Sequence, residues 1–155
     1  MPADPAPAPA PAPAELNTGL LLFIAHRALE DRVFRALAAA GFDDFTLAQA
    51  RVMQRIGPDG TRLTELAEAA QVTKQTASHL VDQLERTGYV RRTPDPTDAR
   101  ARLVRLADRG RAAQPVAAAV VADVEAEWRA HLGDRRWQQL RGALTALREI
   151  TDPYR

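Results

Sequence analysis

The chain has 155 residues, the length of one domain, and it contains no cysteine, so disulfides and thiolate metal sites are excluded. It also lacks an apolar run of about 18 residues, which a membrane-spanning helix would need. The net charge of +1 favours no class of partner, but eight Arg and three Asp lie between Arg86 and Arg111. That segment carries +5 and the rest of the chain −4, a pattern typical of a surface that contacts phosphates, although a solvated charged face gives the same count.

Residues 1–14, MPADPAPAPAPAPA, alternate Pro and Ala and offer no large apolar side chain to bury. They predict an extended, disordered tail. The segment lacks the cationic start and apolar stretch of a secretory signal, so a cytoplasmic location is expected. Residues 15–151 remain as a single folded domain.

A long helix is predicted from Glu15 to Ala40, where Gly41 ends it. Its segment Leu20–Ile24 is apolar nearly all the way round, which predicts burial on more than one side. Thr46 is the predicted N-cap of a second helix, which Gly57-Pro58 stops.

Two short helices joined by a tight connection at Gln71-Val72 come next, with Thr64 and Thr73 as predicted N-caps and Gly88 as the end. Apolar residues of the second form one stripe at helical spacing: Ala77, Leu80, Val81 and Leu84. The opposite face is polar and bears few charges: Gln75, Ser78, His79, Asp82 and Arg86, bordered by Lys74, Thr76 and Gln83. This arrangement is typical of a helix-turn-helix that reads DNA, although an ordinary helical hairpin has the same apolar spacing.

A β-hairpin is predicted directly afterwards, from the runs YVRRT and ARLVRL. Asp95-Pro96-Thr97-Asp98 has the preferences of a type I turn, and Pro94 is expected to fray the strand pairing near the tip. A helix-turn-helix followed by a hairpin is a winged helix. Arginines on such a wing reach the phosphate backbone or a narrow minor groove, which accounts for the basic block.

The sequence from Leu63 to Gly110 resembles the MarR family of bacterial transcriptional regulators, most specifically at Asp98-Ala99-Arg100 with Leu106 and Gly110 at the family's spacing. The resemblance implies a mainly α fold with a small β-hairpin wing. A winged helix-turn-helix at 46–106 would be flanked by dimerisation helices at 15–45 and 107–151. At position 107 the family usually has Thr as a helix cap, and this chain has Ala107, so Asp108 is expected to take over as cap.

The resemblance also assigns roles to residues. Arg100 would enter the minor groove from the wing, with Asp98 as its orienting carboxylate and Arg102 beside it. The recognition helix would contact DNA through Thr73, Lys74, Gln75, Thr76, Ser78 and His79. Thr64 and Arg91 are expected to contact phosphates. The expected partners are a double-stranded DNA operator and a second copy of the chain.

Apolar stripes on the C-terminal helices support the dimer, although each would also suit the chain's own core. Val116, Val120, Val124 and Trp128 are spaced by four, and Trp137, Leu140, Leu144 and Leu147 have heptad-like spacing. Pro115 is expected to bend the first of these helices.

The family resemblance further implies a small aromatic or phenolic effector, for which the candidate residues are Phe23, His26, Arg27 and Met53; each also suits a plain core or salt-bridge role. No catalytic or metal-binding motif is present and no cofactor is expected, so we predict a ligand-responsive repressor rather than an enzyme. The alternative is a winged helix used as a protein-interaction module. Protein partners would favour exposed aromatic residues or Leu on the outer face of 74–86, and none is present there.

Overall fold

The computed structural model describes residues 15–152, so the predicted tail at 1–14 lies outside the described residues. In chain order the elements are α1 (Thr18–Ala39), α2 (Leu47–Met53), β1 (Thr61–Arg62), α3 (Leu63–Ala69), α4 (Lys74–Arg86), β2 (Val90–Asp95), β3 (Asp98–Leu106), α5 (Asp108–Leu132) and α6 (Asp134–Thr151). The fold is therefore mainly helical with one small antiparallel sheet, as predicted.

The helix boundaries follow local capping signals in most places. Asn17 caps α1, and Gly41 lies just beyond its end with a φ of 90°. Thr46 caps α2 in a reciprocal capping box with Gln49, and Thr73 caps α4. Gly88, after α4, has a φ of 81°, a left-handed conformation that glycine adopts without steric cost.

Four predicted helix boundaries were wrong, the first being the start of α1, which begins at Thr18 rather than at Glu15. The predicted cap Thr64 lies inside α3, which begins at Leu63 directly after β1 and has Arg62 at its N-cap position without a side-chain bond. Asp108 is the first residue of α5 rather than its cap; Ala107 holds the cap position and makes no side-chain bond. Helix α2 ends at Met53, before the Gly57-Pro58 stop, because the chain turns at Gln54-Arg55.

The sheet has three strands, one more than the predicted hairpin. β1 pairs with β3 through Thr61↔Val104 and Arg62↔Leu103, giving the order β1-β3-β2. A two-residue strand shows no alternating pattern, so the sequence carried no signal for it. The ladder between β2 and β3 continues through Pro94↔Arg102 to Asp95↔Asp98, so the fraying expected at Pro94 was wrong; the register shifts between Pro94 and Asp95.

The core lies between α2, α3, α4 and the inner side of the sheet. Its largest fully buried side chains include Val52, Leu66, Val81, Leu84 and Tyr89. α5 packs along α1, and its start lies against β2. At Gly110 an added Cβ would collide with the Tyr89 carbonyl oxygen, so this close approach of α5 to β2 requires glycine.

Tyr89 also anchors a polar cluster that joins three segments. Its hydroxyl donates to Asp44 Oδ1 at 2.6 Å, and the Arg109 guanidinium lies 4.6 Å from the centre of its ring and also binds Asp44. Burial and the bond to Asp44 raise the pKa of Tyr89, and the same hydroxyl and Arg109 lower the pKa of Asp44. The α1–α2 loop, β2 and α5 are thereby held in one arrangement.

Candidate nucleic-acid interface

The recognition-helix candidate α4 presents its polar face outward because its apolar stripe is buried. Ala77, Leu80, Val81 and Leu84 are all buried, which confirms the predicted stripe. The six candidate contacts start at the cap. Thr73, Lys74, Gln75, Thr76 and His79 are exposed, and Ser78 is half-buried.

Some of these side chains are already engaged. The Thr73 hydroxyl accepts from the backbone N–H of Thr76 and lies 2.9 Å from the Thr76 hydroxyl, so Thr73 primarily holds the helix start. His79 Nε2 lies 3.0 Å from Nε2 of Gln83. Gln83 Oε1 in turn accepts a hydrogen bond of 2.8 Å from Nε2 of Gln49 in α2. Lys74 and Gln75, at the exposed first turn, have no side-chain bond to any described residue. They are free to meet a ligand.

The tip of the wing is built on Asp95, the first residue of the predicted turn, whose partner in β1 was not predicted. Asp95 Oδ1 accepts from the backbone and hydroxyl of Thr97, and its Oδ2 accepts two bonds from Arg62 of β1, at 2.6 and 2.8 Å. The bonds from Thr97 and then from Arg62 lower the pKa of Asp95 to about 2. The turn chemistry at 95–98 was visible in the sequence, but its partner Arg62, 33 residues away, was not.

Asp98 contacts the backbone of Arg100, whereas a contact with the Arg100 guanidinium was expected. Asp98 Oδ1 accepts from the backbone N–H of Arg100 at 3.1 Å, and its Oδ2 lies 3.9 Å from Arg62. Asp98 therefore fixes the backbone that carries Arg100. The guanidinium of Arg100 makes no bond to any described residue.

The eight arginines of the basic block fall into two groups. Four are engaged within the fold: Arg92 binds Asp82 and Glu85, Arg105 donates to Thr93, Arg109 binds Asp44 and Arg111 binds Asp108. The other four have no ion pair or side-chain hydrogen bond within residues 15–152: Arg86, Arg91, Arg100 and Arg102. The unengaged cations at 100 and 102 lie on the exposed half of β3 near the wing tip.

The two predicted phosphate contacts lie apart. Thr64 is exposed in the first turn of α3. Arg91 is exposed on β2 opposite Arg105 of β3, and it lines a cleft with Arg105 and Arg111. Strand alternation places it on the opposite face of the sheet from Arg92, whose side chain reaches α4.

The effector candidates are not brought together. A cavity of about 330 Å³ lies between α1, α2 and α5, and Met53 lines it together with apolar neighbours such as Val33, Leu37 and Phe45. Phe23, His26 and Arg27 do not line it; they lie on the exposed N-terminal part of α1. His26 lies 3.9 Å from Glu30, whose pKa is lowered by its bond to Arg51 of α2.

Residues 15–152 contain neither a metal-ligand cluster nor a membrane-spanning helix. Within them no group of three or more metal-ligating side chains is close enough to hold an ion. No helix in that range is long and apolar enough to cross a membrane.

Comparison with known proteins agrees with this geometry. The family model described as MarR family matches residues 43–101, and no curated protein sequence matches the chain. Among solved structures, the chain is similar to a MarR family protein of Mycobacterium tuberculosis in complex with salicylic acid, at 28% identity and a TM-score of 0.62. That match covers 86% of this chain and 98% of the other.

Two other similar structures hold ligands of different kinds. CouR from Rhodococcus jostii bound to p-coumaroyl-CoA is 25% identical with a TM-score of 0.66, covering 88% of this chain and 93% of the other. A MepR variant from S. aureus bound to an oligodeoxyribonucleotide is 21% identical with a TM-score of 0.55, covering 88% and 99%. The similarity to the MepR variant shows a shared fold.

Proposed function

We propose that the protein is a homodimeric, sequence-specific DNA-binding regulator of the MarR family, whose family model matches residues 43–101. The single observation that carries the proposal is the distribution of unengaged polar side chains. Four of these, which have no side-chain partner among the described residues, are Lys74 and Gln75 on α4 and Arg100 and Arg102 on the wing. Nearby arginines such as Arg92, Arg109 and Arg111 are paired with carboxylates. Helix α4 and the wing are the two positions from which a winged helix touches a duplex.

Each group has a distinct role in the proposed complex. Gln75 reads a base, because an amide pairs bidentately with adenine N6 and N7, and Thr76 contacts a thymine methyl group. Ser78 and His79 extend the same surface. Lys74 and Thr64 hold phosphates, and Arg100 enters the minor groove with its backbone fixed by Asp98.

The dimer is proposed from the apolar surface at the chain ends. Nine large apolar side chains are exposed among the described residues, and all lie at two places, 16–24 and 144–150. A second copy that covers them would join the helices at 15–45 and 107–151. Two recognition helices would then lie in successive major grooves, with half-site centres about 10–10.5 base pairs apart on a pseudo-palindromic operator.

Ligand response is proposed from the cavity of about 330 Å³ between α1, α2 and α5. Its mostly apolar lining, which includes Met53, and the amide of Gln114 suit a small aromatic or phenolic molecule. The similar structures from M. tuberculosis and R. jostii hold salicylic acid and p-coumaroyl-CoA. A dimer seated across an operator excludes other proteins from that DNA, so repression relieved by the ligand is the proposed mode of regulation.

Selection of bound duplexes from a random library tests the proposal. We expect an enriched inverted repeat with half-site centres about one helical turn apart, and binding that weakens steeply with salt. Recovery of no enriched sequence, together with salt-independent binding, would contradict it. That result would favour a protein-interaction module.

A further inference from the structure

A cleft at the base of the wing is lined by three arginines and no carboxylate. Its volume is about 420 Å³, and it lies between the loop after α2, the outer face of the sheet and the first turns of α5. The lining residues are Ile56, Gly57, Pro58, Arg91, Arg105, Leu106, Arg111 and Gln114. The lining includes Arg91, a predicted phosphate contact, but none of Lys74, Gln75, Arg100 and Arg102.

Two of these cations are placed against each other by strand register. Arg91 of β2 and Arg105 of β3 are direct cross-strand partners, an arrangement that is unfavourable for like charges. Several other arginines of the described residues are paired with carboxylates, as at Arg51–Glu30, Arg62–Asp95 and Arg92–Glu85. Neither Arg91 nor Arg105 has a carboxylate partner within residues 15–152. An anion between them would remove the repulsion.

Two of the three arginines, Arg105 and Arg111, are held in place before any ligand arrives. Arg111 donates to the backbone carbonyl of Leu106 at 2.7 Å and also binds Asp108, which is almost fully exposed. Arg105 Nε donates to the Thr93 hydroxyl at 3.2 Å. Ordering a free arginine on binding costs side-chain entropy, and these two contacts reduce that cost.

We infer that this cleft binds the phosphate group of a small molecule. A phosphate monoester carries about −1.5 to −2 at neutral pH and accepts bonds on three oxygens, so it matches three guanidinium groups better than a single carboxylate does. Ile56, Pro58 and Leu106 give the cleft an apolar wall for the carbon part of the ligand. A DNA backbone phosphate shares this chemistry, but Arg91 lies on the sheet face opposite Arg92 and α4, away from the recognition helix.

Binding of a phosphate here would connect three parts of the fold. One ligand would contact the loop after α2, strands β2 and β3, and the start of α5. Because α5 is itself one of the proposed dimerisation helices, the ligand would fix the wing relative to them. This consequence for DNA depends on the proposed function, whereas the binding itself does not.

Calorimetric titration of the full chain with inorganic phosphate tests the inference, at constant ionic strength maintained with chloride. We expect one site per chain, with binding weakened about tenfold or more by Arg111→Gln and by Arg105→Gln, because each removes a charge-assisted contact. The matched control is Arg135→Gln, which removes one positive charge from an exposed position on α6 outside the cleft. It should leave phosphate binding within twofold of wild type. Thermal unfolding in chloride alone confirms that each variant is folded.

Three results would overturn the inference. They are no saturable phosphate binding, retained binding in both cleft variants, or equal weakening by Arg135→Gln. Titration with duplex DNA distinguishes the source of the phosphate. A drop of about one unit in the salt slope for both Arg105→Gln and Arg111→Gln would assign the cleft to the DNA backbone and also overturn it. Failure to bind DNA at all, with phosphate binding intact, would leave this inference standing and refute the proposed function.

Discussion

The winged helix-turn-helix and the helices at the chain ends bury their apolar side chains very differently. Seven of the eight largest fully buried side chains lie between Val52 and Val104, and the eighth is Val124 of α5. All nine large exposed apolar side chains lie on the chain-end segments, and α6 has no buried residue. The first region is thus complete within one chain, whereas the second leaves a surface that a partner would cover.

Charging the uncovered surface is expected to have the largest effect. Leu144 and Leu147 are 40% and 43% exposed, so replacing both with Glu should leave the single chain folded. A dimer would have to bury both charges unpaired, so we expect complete dissociation. Light scattering measures the mass, and circular dichroism checks the helix content.

Gln138→Glu is the matched control, since it adds a charge to an exposed position of the same helix. A helical protein of dimeric mass after the double substitution would refute the assignment of this face. The exposed apolar side chains at 144–150 would then have to be covered by a partner other than a second copy of the chain.

Truncating the closed core should cost stability rather than assembly. Leu66 on α3 is fully buried, and Leu66→Ala is expected to lower the free energy of unfolding by about 2–5 kcal/mol. Leu63→Ala, at a half-buried position of the same helix, should cost clearly less. Chemical denaturation of both variants measures the difference, and equal losses would show that the winged helix is less tightly packed than its burial indicates.

Removing an unengaged side chain from the outer face should affect binding alone. Gln75→Ala is expected to lose about 1–3 kcal/mol on the selected operator and almost nothing on random duplexes, with unfolding unchanged. Fluorescence anisotropy on both duplexes measures this. Equal losses on the two would make Gln75 a backbone contact.

Acid should release the bonds of Asp95 at the wing tip, which is the smallest effect expected on the whole chain. The pKa of Asp95 is about 2 in the fold against an ordinary value of 3.8. Its bonds therefore contribute fully above 3.8 and are lost as the pH falls through about 2. The amide signal of Thr97 should titrate in that window, and Asp95→Asn should abolish this titration. An amide shift centred near 3.8 in the wild-type protein would contradict the bonding described for Asp95.

Local signals allowed much of the fold to be predicted from the sequence. The α4 stripe, the Thr73 cap and Gly88 are each specified within a few residues, and the structure confirms them. The contacts that were not predicted join residues far apart in sequence: the pairing of β1, the Arg62–Asp95 pair and the Tyr89–Asp44–Arg109 cluster. Such pairs leave no periodicity in a single sequence.

The candidate site divides in the same way. Exposure of Lys74 and Gln75 follows from helical periodicity, and was predictable. Which arginines are engaged depends on acids elsewhere in the fold, such as Asp82 and Glu85 for Arg92. The four unengaged arginines could therefore be identified only from the structure.

The most direct test of the proposed DNA-binding function is the salt dependence of duplex binding by Arg100→Ala. Arg100 makes no side-chain bond within the described residues, so its removal should leave the melting temperature nearly unchanged. Because one phosphate-region contact is lost, we expect weaker operator binding and a slope of log K against log salt that falls by about one unit. An unchanged slope and affinity would contradict the proposed role of the wing in binding DNA.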